Sequence, residues 1–241
     1  MEIFQNFFYW IDSFLSWIYS FLESIWVIAL LKGARITIGL TITSVSAGVF
    51  LSIFLALGKM SRRIVINKIC SAYIFFFRGT PLLMQLFFIY YALPMISPVF
   101  LIPIRNQELN RFVYAFIAYS LNVAAYSAEI VRAAIQSIDK GQFEASRALG
   151  LSYAQTMRLV IIPQSIRRLI PPVGNEFILI LKDTSLVSMI ALIDITKVTR
   201  SIEGSTRSAL VYIPAMFLYL IITWVFSFVF HKLEKKYSVY E

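Results

Sequence analysis

Crossing the hydrocarbon core of a bilayer takes about 20 consecutive, mostly apolar residues in a helix. Four stretches of this chain reach that length: residues 36–57, 112–135, 165–192 and 210–230. A fifth, residues 69–93, is interrupted by Arg78-Gly79-Thr80-Pro81. There Thr80 can cap, and Pro81 can open, a new helix. That helix must run past Pro94, or the stretch around Phe75–Phe77 must lie at an angle, because residues 81–93 alone are short for a span. Only 15% of the residues are charged, against about a quarter in soluble domains. The chain therefore reads as an all-α membrane protein, one helical bundle.

Loop charge sets the orientation. Lys59, Arg62, Arg63 and Lys68 follow the first span. Lys140, Arg147, Arg158, Arg167 and Arg168 follow the third, and Lys232, Lys235 and Lys236 the last. The other two loops carry mixed charge: Arg105, Glu108 and Arg111, then Asp194, Lys197, Arg200, Glu203 and Arg207. Cationic loops stay in the cytoplasm, so five spans result, with the N-terminus outside and the C-terminus inside. The net charge of +9 is then loop charge and does not call for nucleic acid. The start of the chain lacks the basic region of a signal peptide. Residues 1–32 hold many aromatics but also Asp12 and Glu23, and read as an amphipathic segment lying on the outer interface; the alternative is a sixth span over residues 11–31, which would put Lys32 and Arg35 outside. Residues 237–241 form a cytoplasmic tail. One cysteine, Cys70, and one histidine, His231, exclude an intrachain disulfide and a Cys or His metal cluster.

The sequence GQFEASRALGLS is too polar for lipid. Asp139, followed three residues on by Gln142, can cap a helix over residues 140–149. Ala145, Ala148 and Leu149 then share one face, with Arg147 opposite and Glu144 on its flank; Phe143 would protrude. Gly150 suits a left-handed stop, and Ser152 with Gln155 opens a second helix that ends near Pro163. A plain connection needs only a few residues. This one takes residues 139–163, and its small-residue face lets another surface come close. It reads as a docking unit for a cytoplasmic partner.

Ionisable groups at membrane depth are costly and so are functional candidates. Glu176 and Asp183 are two turns apart on the fourth span, with Asn175, Thr184 and Ser185 beside them. Pro171-Pro172 and the KDTS run suggest a helix broken at depth, as is tolerated where backbone lines a cavity. The alternative is a structural ion pair of Lys182 with a neighbouring carboxylate. On the third span Asn122, Tyr126 and Glu129 form a polar stripe, and Glu129 can pair with Arg132. Packing accounts for that stripe as well as substrate contact does. Arg78 reads as an interfacial anchor.

The stretch EASRALGLSYAQTMRLVIIPQ resembles the "EAA" loop of permease subunits of bacterial ABC importers, with Ser146 at the third position of Glu144-Ala145-Ser146. FRGTPLLMQLFFIYY, AAYSAEIVRAAIQSIDKGQ and LIPPVGNEFILILKDTSLVS are similar to the branch that serves polar amino acids such as histidine, glutamine, arginine and cystine. The four collinear motifs fall within residues 33–236. The resemblance implies a five-span type I importer bundle in the bacterial cytoplasmic (inner) membrane. Its partners would be a second permease subunit, identical or not, two ATP-binding cassette subunits and an extracytoplasmic binding protein. It implies that Gln142, Phe143, Glu144, Ala145, Arg147, Ala148 and Gly150 couple to the ATPase. In some members of that family, not all, a membrane-embedded substrate site lies along this span; here the residues read as the pathway are Asn175, Glu176, Asp183, Thr184 and Ser185, with Asn122, Tyr126 and Glu129 as further candidates. No phosphate-binding loop is present, so no cofactor is expected on this chain, and ATP and Mg would sit on the partner. Glu176 and Asp183 favour cationic amino acids; cystine or a broad polar range is the alternative. A stand-alone secondary transporter or channel would need no docking loop. An intramembrane enzyme would need a nucleophile and base that the spans do not display.

Overall fold

The structure is a computed structural model and describes residues 25–237, with positions 9, 13 and 16 before them. The described residues are helical throughout their ordered elements. The elements are α1 (Ile25–Lys59), α2 (Ile64–Gly79), α3 (Leu82–Phe87), α4 (Leu93–Ile96), α5 (Gln107–Gln136), α6 (Lys140–Ala148), α7 (Tyr153–Thr156), α8 (Ile162–Asp183), α9 (Ile195–Thr206) and α10 (Tyr212–Tyr237). Two are long and apolar enough to cross a membrane by composition, residues 26–59 and 209–237; the pair α2 with residues 82–96, bent by 106°, forms a third candidate. Helices α5 and α8 are as long as spans but carry too many polar groups to qualify on that basis. Of the two, α5 is also the helix with the most protein around it. Fourteen residues of α5 are buried, among them Tyr119, Asn122 and Ser127. A helix enclosed by protein answers to its neighbours and not to lipid, whereas α10, 11% buried over its span window, must be apolar all round.

Most of the notional interfacial segment, residues 1–32, lies outside the described residues. Its last part does not form a separate segment: residues 25–32 are the first turns of α1, which runs unbroken to Lys59. Leu30 and Ala34 explain this, because both are buried against α9 and α10. Of the tail, Tyr237 closes α10, and the rest is not described.

The bundle is built on α1 against α5. Gly48 lies so close to α5 that a Cβ there would sit 2.6 Å from Val123 Cβ. Thr37, Thr41, Ser44 and Ser52 line the same helix and are fully buried. Small residues let backbones approach where no hydrophobic force separates helix from lipid. Three clusters follow. The central one joins Leu40, Leu86, Tyr119, Val123, Phe177 and Ile190. A second joins α1, α9 and α10, and a third packs Ala56, Ile74, Val131, Ile138 and Ile161 at the end of the bundle near α6.

Two prolines are absorbed in one way. A π-turn, Phe88–Ala92, precedes Pro94, and a second, Met157–Ile161, precedes Pro163. Proline lacks an N–H and clashes with the carbonyl four residues back; widening the turn removes that carbonyl from its path. The chain thus continues past Pro94 to Ile96, and α2 also lies at an angle to it. At Pro163 the outcome differs from expectation. Residues 153–183 form one helical rod, so the second helix of the docking unit is the start of the span itself.

Two further expectations need correction. Thr80 does not cap α3: Pro81 holds that place in extended conformation, and Thr80 Oγ1 donates back to the Phe76 carbonyl at 2.8 Å. Nor do Pro171 and Pro172 break α8, which passes through both. The carbonyls they free belong to Arg167 and Arg168, both exposed beyond the apolar core. The break comes at Thr184, where a 3-10 turn runs to Ile190 and ends at Ala191 with φ 58°.

Candidate functional site: a carboxylate-lined face and a docking unit

Because α8 stays helical to Asp183, Glu176 and Asp183 fall on one face, two turns apart. Glu176 is 8% exposed, yet its carboxylate has no hydrogen-bond or ion-pair partner among the described residues. Asp183 is exposed, and only its backbone is engaged: Tyr119 Oη donates to the Asp183 carbonyl at 2.6 Å. That bond satisfies a carbonyl at the helix end where α8 gives way to the 3-10 turn. Lys182 is exposed and forms no ion pair within the described residues, so a Lys182–carboxylate pair does not occur there.

Arg78 lies at the break between α2 and α3. Arg78, expected as an interfacial anchor, lies with its guanidinium 5.4 Å from the ring centre of Tyr126 and acts electrostatically on Glu176. This places a cation, an aromatic face and two carboxylates around one region. The break itself is held by Gln85, a lone amide in an apolar run. Its Nε2 donates to the carbonyls of Phe77 (2.8 Å) and Thr80 (3.0 Å) and to Thr80 Oγ1 (2.8 Å). Asn122 Nδ2 then donates to Gln85 Oε1 at 2.9 Å. The sequence did signal Gln85, since an amide buried at membrane depth must find partners.

The remaining pathway candidates are placed as follows. Asn122 is committed to Gln85 and the Phe77 carbonyl. Thr184 is buried, its hydroxyl donating to the Leu181 carbonyl at 2.7 Å. Asn175 is exposed, and Ser185 is half-buried just past Asp183. Glu129 lies further along α5 in an ion-pair set, bound by Lys59 of α1 and by Arg132 at 2.7 Å. The pairing with Arg132 matches expectation; Lys59, seventy positions away, does not show in local spacing.

The docking unit is stiff. Asp139 Oδ1 accepts from Gly141 N at 2.6 Å to start α6. Gly150 has φ 78°, the left-handed stop the sequence indicated. Ser152 and Gln155 complete a capping box, with Gln155 Oε1 accepting from Ser152 N at 2.8 Å. Gln164 Nε2 donates to Gln142 Oε1 at 3.3 Å, which ties α6 to α8. Gln142, Glu144, Ala145, Arg147 and Ala148 are exposed. Phe143 does not protrude. It packs onto the Ile138–Ile161 cluster, because with Ser146 buried three residues on, the inner face of α6 is 143–146. What does stand out is Leu149, 80% exposed, and Tyr153, 74% exposed, one on each side of Gly150.

Residues 48–237 match the family described as "Binding-protein-dependent transport system inner membrane component". The chain is 40% identical over 220 residues to the L-cystine transport system permease protein TcyB of Bacillus subtilis (strain 168), covering 90% of each. It is 34% identical over 211 residues to the glutamine transport system permease protein GlnP of Escherichia coli (strain K12), covering 87% of this chain and 93% of that one. A chain of the structure titled "Crystal structure of an amino acid ABC transporter with histidines" superposes with a TM-score of 0.80 at 38% identity, covering 92% of this chain and 98% of that one. The chain belongs to the binding-protein-dependent transport system inner membrane components, and among them it is an amino-acid ABC permease, a transport subunit distinct from the ATPase.

Proposed function

We propose that this chain crosses the membrane five times, N-terminus outside and C-terminus inside, and moves polar amino acids inward by alternating access. The bent pair α2–α3 and the enclosed helices α5 and α8 supply the three spans beyond α1 and α10. A second permease subunit completes the pathway, an extracytoplasmic binding protein delivers the substrate, and two ATPase subunits drive the cycle. Each ATPase would seat on the α6 unit through Gln142, Glu144, Ala145, Arg147 and Ala148, with Gly150 setting the angle and Phe143 anchoring the unit to the bundle. Because α7 is continuous with α8, motion at the docking unit reaches Glu176 and Asp183 through one rigid rod.

The substrate would meet α8. Glu176 and Asp183 accept from ammonium groups, while Arg78, backed by Tyr126, can take a carboxylate. Asn175 and Ser185 flank that face. Asn122, Thr184 and Glu129 would shape the pathway walls. The observation that carries this reading is the pair of unpartnered carboxylates on one helical face. Two carboxylates against one guanidinium favour a cationic amino acid.

The test is uptake by the complex reconstituted with its ATPase and binding protein. Glu176→Gln should raise the KM for arginine or lysine about ten- to hundredfold, from the loss of a charged hydrogen bond worth about 1.5–3 kcal/mol. Unchanged cationic uptake would remove the charge argument. Transport that survives without the ATPase and binding protein would favour a stand-alone transporter. A second reading, cystine, is favoured by the cystine permease that is 40% identical. A panel of amino acids titrated against the partner binding protein separates the two.

A further inference from the structure

The loop between α4 and α5 faces outward in the reading above, on which this inference rests. Loops that stand in water are built mainly from Gly, Asn, Asp and Ser, with Pro. This one is not. Residues 79–104 carry no charge, and Ser97 is the one polar side chain in residues 93–104. Met95 and Val99 are each 86% exposed, and Ile96, Phe100 and Leu101 are exposed with them. Charge returns at Arg105, exposed just before α5.

The backbone of the loop is tied inward. Tyr114, buried on α5, clamps it: Tyr114 Oη donates to the Phe100 carbonyl at 3.0 Å and accepts from Ile102 N at 3.1 Å. Asn110 Nδ2 donates to the Ile102 carbonyl at 3.0 Å. Val99 N donates to Ser97 Oγ at 3.3 Å, Phe100 N to the Ser97 carbonyl at 3.1 Å and Ile104 N to the Ile102 carbonyl at 2.8 Å. Pro98 and Pro103 bring no N–H to satisfy. Backbone groups paired within the protein and apolar side chains turned out are what apolar surroundings require.

The depth of the loop is marked independently by tyrosines. The Tyr90 ring lies 5.4 Å from that of Tyr114 and 4.7 Å from that of Tyr91, which is itself exposed. Tyrosines gather where hydrocarbon meets headgroups. The residue that clamps the loop belongs to this group, so the loop sits at the same level. Met84, Phe88 and Tyr91 are exposed on the span that leads to it, so one apolar surface runs from span to loop.

We infer that residues 95–101 anchor the chain in the outer leaflet, with Met95, Val99 and Leu101 set among lipid about 5–10 Å into the boundary of headgroups and acyl chains. A surface kept for a soluble partner would stand in water between encounters and would carry the polar rim that such interfaces have; residues 93–104 offer none. Lipid covers the surface at all times. The anchor holds the outer end of the broken second span at one depth, and Tyr114 passes that constraint to α5.

The experiment uses the full permease–ATPase complex in vesicles, with Cys70→Ala and no cysteine in the partner subunits. Val99→Cys, and Arg105→Cys as the contrast, each carry one small fluorophore. Val99 is so exposed that its replacement removes no packing, and the variant should fold. The label at position 99 should lose fluorescence to a nitroxide on the acyl chain near the headgroups and little to aqueous iodide. The label at position 105 should do the reverse. Iodide quenching at position 99 equal to that at 105 would overturn the inference. So would shielding of position 99 from iodide that needs saturating binding protein, which would give the face to that protein. Excimer emission from pyrene at position 99 of two permease subunits would likewise overturn it, by giving the face to a second subunit. An impermeant maleimide that reaches Arg105→Cys only after intact cells are opened would instead sink the outward orientation itself.

Discussion

The amide of Asn122, on α5, donates to Gln85 Oε1 at 2.9 Å, and both side chains are buried. Through this pair the third span grips the break in the second. Gln85 spends its own donors on the Phe77 and Thr80 carbonyls, so one amide chain satisfies backbone that the Arg78-Gly79-Thr80-Pro81 interruption leaves open. Asn122→Leu or Gln85→Leu strands polar atoms at membrane depth. Each should cost about 1–3 kcal/mol, read as lower thermal stability of the complex in detergent. The double variant should cost less than the sum. Additivity would show that the pair does not act as a unit.

Glu129 joins α1 to α5 by holding Lys59 while Arg132 holds it from its own helix. With side chains 15–31% exposed, the set lies between buried and surface pairs. Glu129→Gln should destabilise by about 1–2 kcal/mol. Lys59→Met alone should cost less, since Arg132 still balances the carboxylate. Chemical denaturation of the two variants gives the order, and a larger loss for Lys59→Met contradicts it.

Nothing lies within 4 Å of a Cβ built at Gly150, so substitution there meets no clash. The penalty is confined to the backbone, φ 78°, and is about 1–2 kcal/mol for a residue with a Cβ. Gly150→Val should leave the spans in the membrane fraction but separate ATP hydrolysis from uptake, or prevent recovery of the ATPase with the complex. Gly150→Asn, which tolerates this region better, should be milder. Equal effects of the two would place the role of Gly150 elsewhere than in its conformation.

Leu149 and Tyr153 present apolar surface that the bundle does not use. Leu149→Ala and Tyr153→Ala should leave stability within about 0.5 kcal/mol. They should weaken ATPase binding by about 1–2 kcal/mol each, as anchors at an interface do. Phe143→Ala is the contrast: its ring packs inward, so it should lower stability. Pull-down of the ATPase and thermal unfolding, run on all three, separate the roles.

Gly48 and Gly39 lie on the same helix but in different surroundings. A Cβ at Gly48 would meet Val123 at 2.6 Å, while one at Gly39 meets nothing within 4 Å. Gly48→Ala should therefore loosen α1 from α5 by about 1–3 kcal/mol, the usual cost of overpacking. Gly39→Ala should be neutral or slightly stabilising. Thermal unfolding that ranks them in the opposite order would exclude close α1–α5 packing.

Local chemistry made much of this protein legible. Run length fixed the apolar helices, Ser152 with Gln155 gave the capping box, and Gly150 gave the left-handed stop, because each depends on residues within a few positions of one another. Glu176 and Asp183 share a face through helical periodicity alone. The sequence could not decide where α8 breaks, since a proline pair is tolerated when the carbonyls it frees reach water. It could not decide which way Phe143 faces, since Ser146 and not Ala145 meets the bundle. Nor could it turn Arg78 toward Glu176, link Lys59 to Glu129 across seventy positions, or expose Arg207 on a strained turn. Those relations join residues far apart in the chain, and their energies exist only once α1, α5 and α8 have packed and excluded lipid and water from between them.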